Sequence, residues 1–167
     1  MKKIMLFITA VMIFAATIPV KAGGVYDGPE PGKSIIGVRA GLDIGFMNVN
    51  AVYDYALAKV WKGTFTIGGY AGLGFGVWGT YSNGGWLYMP LMARTTYRFN
   101  VVVPQWEVYG GAMLGMGLFF HNGVTAGFAG GLLAGTSYYF TEHFGLNLEF
   151  IGGYGASYLN FGVKFKL

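Results

Sequence analysis

The 167-residue sequence has no cysteine, two histidines, five prolines and few charges: eleven basic and seven acidic side chains, 11% of the chain. Without cysteine there is no disulfide scaffold, no thiolate metal centre and no lipid anchor on an amino-terminal thiol. Soluble domains carry roughly 25% charged residues. A chain at 11%, with a mean hydropathy of +0.48, is neither disordered nor composed like an ordinary soluble enzyme. What it has instead is glycine, 30 residues, and aromatic side chains, with Phe 14, Tyr 12 and Trp 4. That composition points to a membrane protein, and the question becomes whether it spans by helix or by strand.

The amino terminus reads as a signal peptide. Met1-Lys2-Lys3 is a positive start, residues 4–18 are apolar apart from threonine, and Pro19-Val20-Lys21-Ala22 offers cleavage before Gly23. Removal of residues 1–22 takes Lys2, Lys3 and Lys21, leaving eight basic residues against seven acidic ones. The high isoelectric point belongs mostly to the signal, and no basic patch remains to bind nucleic acid.

Residues 63–93 and 108–141 lack Asp, Glu, Lys and Arg, as transmembrane helices would. Their glycines argue otherwise, since each costs a helix interior roughly 0.8–1.0 kcal/mol relative to alanine. The abundant aromatic and β-branched residues favour strands, and Asn83-Gly84-Gly85 and Asn122-Gly123 supply turns. Period decides. Over residues 34–46, Ile36, Val38, Ala40, Leu42, Ile44 and Phe46 alternate with Gly37, Arg39, Gly41, Asp43 and Gly45. One face suits lipid and the other is small or charged, the pattern of a membrane β-strand.

The alternation recurs seven more times, and the fold class predicted is all-β, a transmembrane antiparallel up-and-down β-barrel of eight strands over residues 34–167. Residues 23–33, with Pro29 and Pro31, are expected to be a flexible periplasmic lead-in. Links at Lys62-Gly63, residues 100–105 and residues 141–143 read as periplasmic turns. Links near 47–50, 81–85, 121–124 and 152–155 fall at the other end. The strands flanking 121–124 share parity, which calls for a bulge or a link longer than two residues. Outward Trp61, Phe65, Phe99, Trp106, Phe140, Phe144 and Phe165 collect at the terminal end as an interfacial girdle.

The inward charges are nearly balanced: Arg39, Arg94, Arg98 and Lys164 against Asp43, Asp54, Glu107 and Glu149, with Lys166 at the rim. Arg98 and Glu107 should sit close across one hairpin. Such a lining makes either an ion-paired plug or, given the many inward glycines, a narrow and weakly selective passive pore for small solutes. A turn at Asn48-Val49 would bring Asp43 and Asp54 together, giving either a cation or proton site or carboxylates neutralised by Arg39 or Arg94. His121 and His143 fall at opposite ends without a serine partner, so no catalytic residues, metal or cofactor site are assigned. Trp78, Tyr81, Trp86 and Tyr88 form either a surface patch for a weak ligand or the outer girdle.

The last eight residues, Asn160-Phe161-Gly162-Val163-Lys164-Phe165-Lys166-Leu167, resemble the carboxy-terminal signal read by the barrel-assembly machinery, with Asn160, Gly162, Phe165 and Leu167 at its positions. Leu167 stands where phenylalanine is commoner. Thr66-Ile67-Gly68-Gly69-Tyr70, residues 108–115, residues 137–142 and residues 154–167 are similar to the small outer-membrane proteins of Bacteroidota, within an OmpX/OmpW-like and porin-like group. The resemblance implies a monomeric outer-membrane barrel with periplasmic termini, outer-membrane lipids around it and the assembly machinery as partner in biogenesis. It implies no particular activity.

Overall fold

The computed structural model describes residues 25–26, 28–43, 46–76, 87–120 and 123–167. The predicted signal peptide, Trp78, Tyr81, Trp86, His121 and the links at 81–85 and 121–122 lie outside them. After a short β1 (Val25–Tyr26) come eight strands: β2 (Ser34–Leu42), β3 (Phe46–Val60), β4 (Gly63–Gly76), β5 (Leu87–Val101), β6 (Trp106–Phe120), β7 (Val124–Tyr139), β8 (Phe144–Tyr154) and β9 (Leu159–Lys166). Each pairs antiparallel with its neighbour in sequence, and β9 returns to β2 with Val38 opposite Val163, closing the barrel. Closure leaves no interior strand edge, which is what a strand must satisfy in hydrocarbon.

The predicted faces hold except at Phe46, which is expected outward with Ile36, Val38 and Leu42 but opens β3 with inward parity, its ring 6.3 Å from that of buried Tyr88. On β2 the burial alternates residue by residue: Ile35 and Arg39 point inward and are buried, and Val38 and Leu42 face out. An eight-stranded interior is just wide enough for side chains to fill. Both described termini and the links after β3, β5 and β7 share one end, here the terminal end. Phe65, Tyr97 and Phe99 form one run of rings there, and Tyr138, Phe140, Phe144 and Phe165 another, with centroid distances of 5.0–6.3 Å. At the opposite, loop end Phe120 pairs with Val124, leaving three residues between them. An odd link keeps the shared parity of β6 and β7, as the longer-link expectation required.

Two placements differ from expectation. Residues 47–50 are not a turn: β3 begins at Phe46, Leu42 pairs with Met47, and the Asp43 amide donates to the Phe46 carbonyl at 3.0 Å. Asn48 and Asn50 are therefore buried strand residues. The second is the segment before β2. β1 pairs with the end of β5, the Gly28 amide donates to the Lys62 carbonyl at 3.0 Å, and the Gly32 amide donates to the Ala56 carbonyl at 2.8 Å. Pro29 is buried, and its carbonyl accepts from Thr64 Oγ1 at 2.6 Å. Residues 28–33 thus form a strap across part of the terminal mouth. Thr64→Val should cost about 1 kcal/mol by leaving the Pro29 carbonyl without a partner. Urea unfolding of the detergent-folded protein against wild type measures this.

Candidate functional site: the barrel lumen

The inner wall is layered. Toward the terminal end, inward positions on β2, β3, β5, β6, β8 and β9 bring Arg39, Asp54, Arg94, Arg98, Glu107, Glu149 and Lys164 together, none more than 2% exposed. Their charges alternate in one linked path. Arg39 Nη1 lies 2.5 Å from Glu149 Oε1, and Glu149 Oε2 lies 3.0 Å from Arg94 Nη2. Arg94 Nε is 3.0 Å from Asp54 Oδ1, and Asp54 Oδ2 is 2.5 Å from Arg98 Nη2. Arg98 Nη1 reaches Glu107 Oε1 at 2.7 Å, and Lys166 Nζ approaches Glu107 Oε2 at 3.9 Å. Each carboxylate faces two cations, which is how charges taken out of water are held.

Tyr109 stands at the centre of this layer. Its hydroxyl donates to Glu149 Oε2 at 2.8 Å and accepts from Asn147 Nδ2 at 2.7 Å. Its ring carries Arg98 at 4.3 Å and Lys164 Nζ at 4.0 Å, cation–π contacts between buried side chains. Tyr109 pairs with Gly135 across the β6–β7 ladder, and a side chain at Gly135 would collide with the Tyr109 ring. The glycine that reads in sequence as open space is room for the tyrosine. Gly117 gives the same room to Tyr88.

Above the charges lies an apolar layer of Val52, Tyr70, Met92, Met113, Leu133 and Ile151, all buried. Above that is an amide cluster. Asn50 Nδ2 donates to Asn48 Oδ1 at 2.8 Å and to Asn160 Oδ1 at 2.7 Å, while Arg39 Nε donates to Asn50 Oδ1 at 2.8 Å. Asn48 Nδ2 donates to Ser157 Oγ, and Asn160 Nδ2 to the Ser157 carbonyl at 2.9 Å. The β8–β9 link therefore folds inward, with Ala156 and Ser157 buried and Tyr88 donating to the Gly155 carbonyl at 2.7 Å. The inturned β8–β9 link fills part of the loop end of the lumen, and the 28–33 strap borders its terminal end along β3 and β4.

Of the residues singled out in the sequence, seven of the eight lumen charges lie in the one path or beside it. Asp43 does not. It sits at the loop end, whereas Asp54 pairs with Ile35 near the terminal end. Seven residues of β3 separate Asp54 from Met47 beside the turn, roughly 23 Å of strand, so the expected carboxylate pair does not form. Tyr88, expected on an outer patch or girdle, is inward, 2% exposed and stacked on Phe119 at 4.4 Å. Of the carboxy-terminal signal, Asn160 is a lumen residue and Gly162 pairs with Arg39. Phe165 lies in the girdle, and the Leu167 amide donates to the Ser34 carbonyl at 2.8 Å. Sequence reasoning missed the inward layer of Met92, Met113, Leu133 and Ile151, although each shares parity with an inward charge, tyrosine or glycine on its own strand.

No family model and no curated protein matches the chain. Among solved structures, a de novo designed transmembrane β-barrel aligns over 83% of this chain and 98% of its own, with a TM-score of 0.56 and 17% identity. This chain has the fold of a transmembrane β-barrel. Ail, the attachment invasion locus protein of Yersinia pestis, aligns over 83% of this chain and 100% of its own at 14% identity, with a TM-score of 0.48. Ail in complex with the heparin analogue sucrose octasulfate gives 0.45 and 15%.

Proposed function

We propose that the chain is an exported outer-membrane barrel, inserted by the barrel-assembly machinery with both termini periplasmic, monomeric and without catalytic activity. In this reading it serves the envelope as a structural wall element of the small OmpX/OmpW-like type found in Bacteroidota, and its lumen is closed. The observation that carries the reading is the unbroken path of paired charges from Arg39 to Lys166, with the strap and the inturned β8–β9 link at its two ends. A conducting path would have to part guanidinium–carboxylate pairs that exclude water on every side, and a pore built for solutes keeps such charges on a wetted wall instead.

Liposome swelling tests this reading. Vesicles holding the folded protein should swell in small sugars no faster than protein-free vesicles. Tyr70→Ala, which removes a ring from the layer above the charges, should leave swelling unchanged while the ion pairs hold. Swelling by the wild-type protein would establish the narrow passive pore instead.

A further inference from the structure

We propose that the terminal half of the lumen binds one small monovalent anion, of the chloride type, through the Lys164 ammonium and the Tyr139 hydroxyl. This goes beyond the closed-lumen reading, because it assigns a ligand to the one buried charge that the path of pairs does not use.

The balance of buried charge carries the proposal. Arg39, Arg94, Arg98 and Lys164 are at most 2% exposed, against three carboxylates, Asp54, Glu107 and Glu149, that are fully buried. The three arginines take both oxygens of Glu149, both of Asp54 and one of Glu107. Lys166 faces the sixth oxygen at 3.9 Å. Lys164 is left over. Its Nζ stands in none of these pairs and has no hydrogen-bond partner among the described residues. The Tyr109 ring, 4.0 Å away, attracts it through a quadrupole but carries no charge. Buried charges are held by opposite charges, and one surplus positive charge calls for one negative charge.

The register supplies a second donor. Lys164 pairs with Gly145, and Gly145 with Tyr139, so the two long side chains flank a position that has none. The Tyr139 hydroxyl is likewise buried and without a hydrogen-bond partner, and its proton suits an anion. Lys166 Nζ, 3.6 Å from the Tyr139 ring, adds positive charge on the side of the mouth. On β6 to β9 the other unpartnered oxygens are Glu107 Oε2 and Asn147 Oδ1. Lys166 faces the first and the second is uncharged, so neither balances Lys164. Packing sets the size of the ion. A Cβ at Gly145 would strike the Tyr139 ring, and one at Gly37, which pairs with Lys164, would strike Val52. Walls this close favour a single-atom ion over sulfate or phosphate.

Urea unfolding of the detergent-folded protein across a chloride series tests this, with gluconate holding the ionic strength fixed. Above half-saturation, each tenfold rise in chloride should raise the folding equilibrium constant about tenfold, as for any ligand that binds only the folded state. Lys164→Met, which keeps the length and removes the charge, should abolish the dependence. Tyr139→Phe keeps the ring beside Lys166 and should raise the half-saturating chloride roughly tenfold, the effect of one hydrogen bond to an ion. Crystals of the wild-type protein grown in bromide should show an anomalous peak between Lys164 Nζ and the Tyr139 hydroxyl. A wild-type stability indifferent to chloride overturns the proposal, as does an equal response in wild type and Lys164→Met, or bromide on the outer surface alone. Should Lys164→Met fail to fold, Tyr139→Phe and the bromide position decide. Conductance by the barrel would overturn the closed-lumen reading and leave the bromide peak in place, so the two fail separately.

Discussion

Replacing Glu149 with alanine is expected to cost about 3–5 kcal/mol of barrel stability, the range for breaking a buried ion pair and leaving its partner uncompensated. The carboxylate is fully buried and shared by Arg39 at 2.5 Å, Arg94 at 3.0 Å and the Tyr109 hydroxyl at 2.8 Å. Its removal leaves Arg39 with Asn50 and Arg94 with Asp54, in an interior where the next acceptors are occupied. Glu149→Gln keeps the shape and an acceptor for Tyr109, so it should cost less than alanine and more than nothing. Equilibrium unfolding in urea, in micelles of fixed composition, gives both values. A Glu149→Ala cost within about 0.5 kcal/mol of zero, the ordinary result for a surface site, would mean that water reaches the carboxylate and that the lumen is hydrated.

Tyr109→Ala is expected to be of similar size for a different reason. Emptying a buried aromatic site costs about 3–5 kcal/mol through lost transfer energy and the cavity left behind. Here the ring fills the space over Gly135 and carries both Arg98 and Lys164. Tyr109→Phe keeps the ring and removes only the hydroxyl, so about 1 kcal/mol should be lost with its bonds to Glu149 and Asn147. The gap between the two variants measures how much of the hub is packing. Combining Tyr109→Ala with Gly135→Val should recover part of the loss, because the valine enters the volume the ring vacates. If Tyr109→Ala and Tyr109→Phe cost the same, the ring is not close-packed and the lumen has room to spare.

The wall of the barrel was legible in the sequence, and its contents were legible only in part. Alternation of Ile36, Val38 and Leu42 against Arg39 and Gly41 is a local property with period two, so the faces follow from position alone. The Arg98–Glu107 pair belongs to one hairpin, and a short link between β5 and β6 sets its register. The Asp43–Asp54 pair failed because Asp43 to Phe46 and Asn48-Val49 both carry turn-forming residues. What selects the first is burial of Asn48 and Asn50 against Asn160 and Ser157, more than a hundred residues away. Tyr109 as a hub depends likewise on the β7–β8 register that brings Asn147 and Glu149 beside it. The strap was hidden for another reason: Gly28, Pro29 and Gly32 have the composition of a linker, and only Thr64, Lys62 and Ala56 give those backbone groups their partners.

Single-channel recording of the folded wild-type protein in planar bilayers tests the closed lumen most directly. With insertion verified by the heat-modifiable shift of the same preparation, the paired charges predict a silent barrel at all moderate voltages. Reproducible conductance steps of uniform size would contradict it, because ions would then be passing where Arg39, Glu149, Arg94, Asp54, Arg98 and Glu107 are joined.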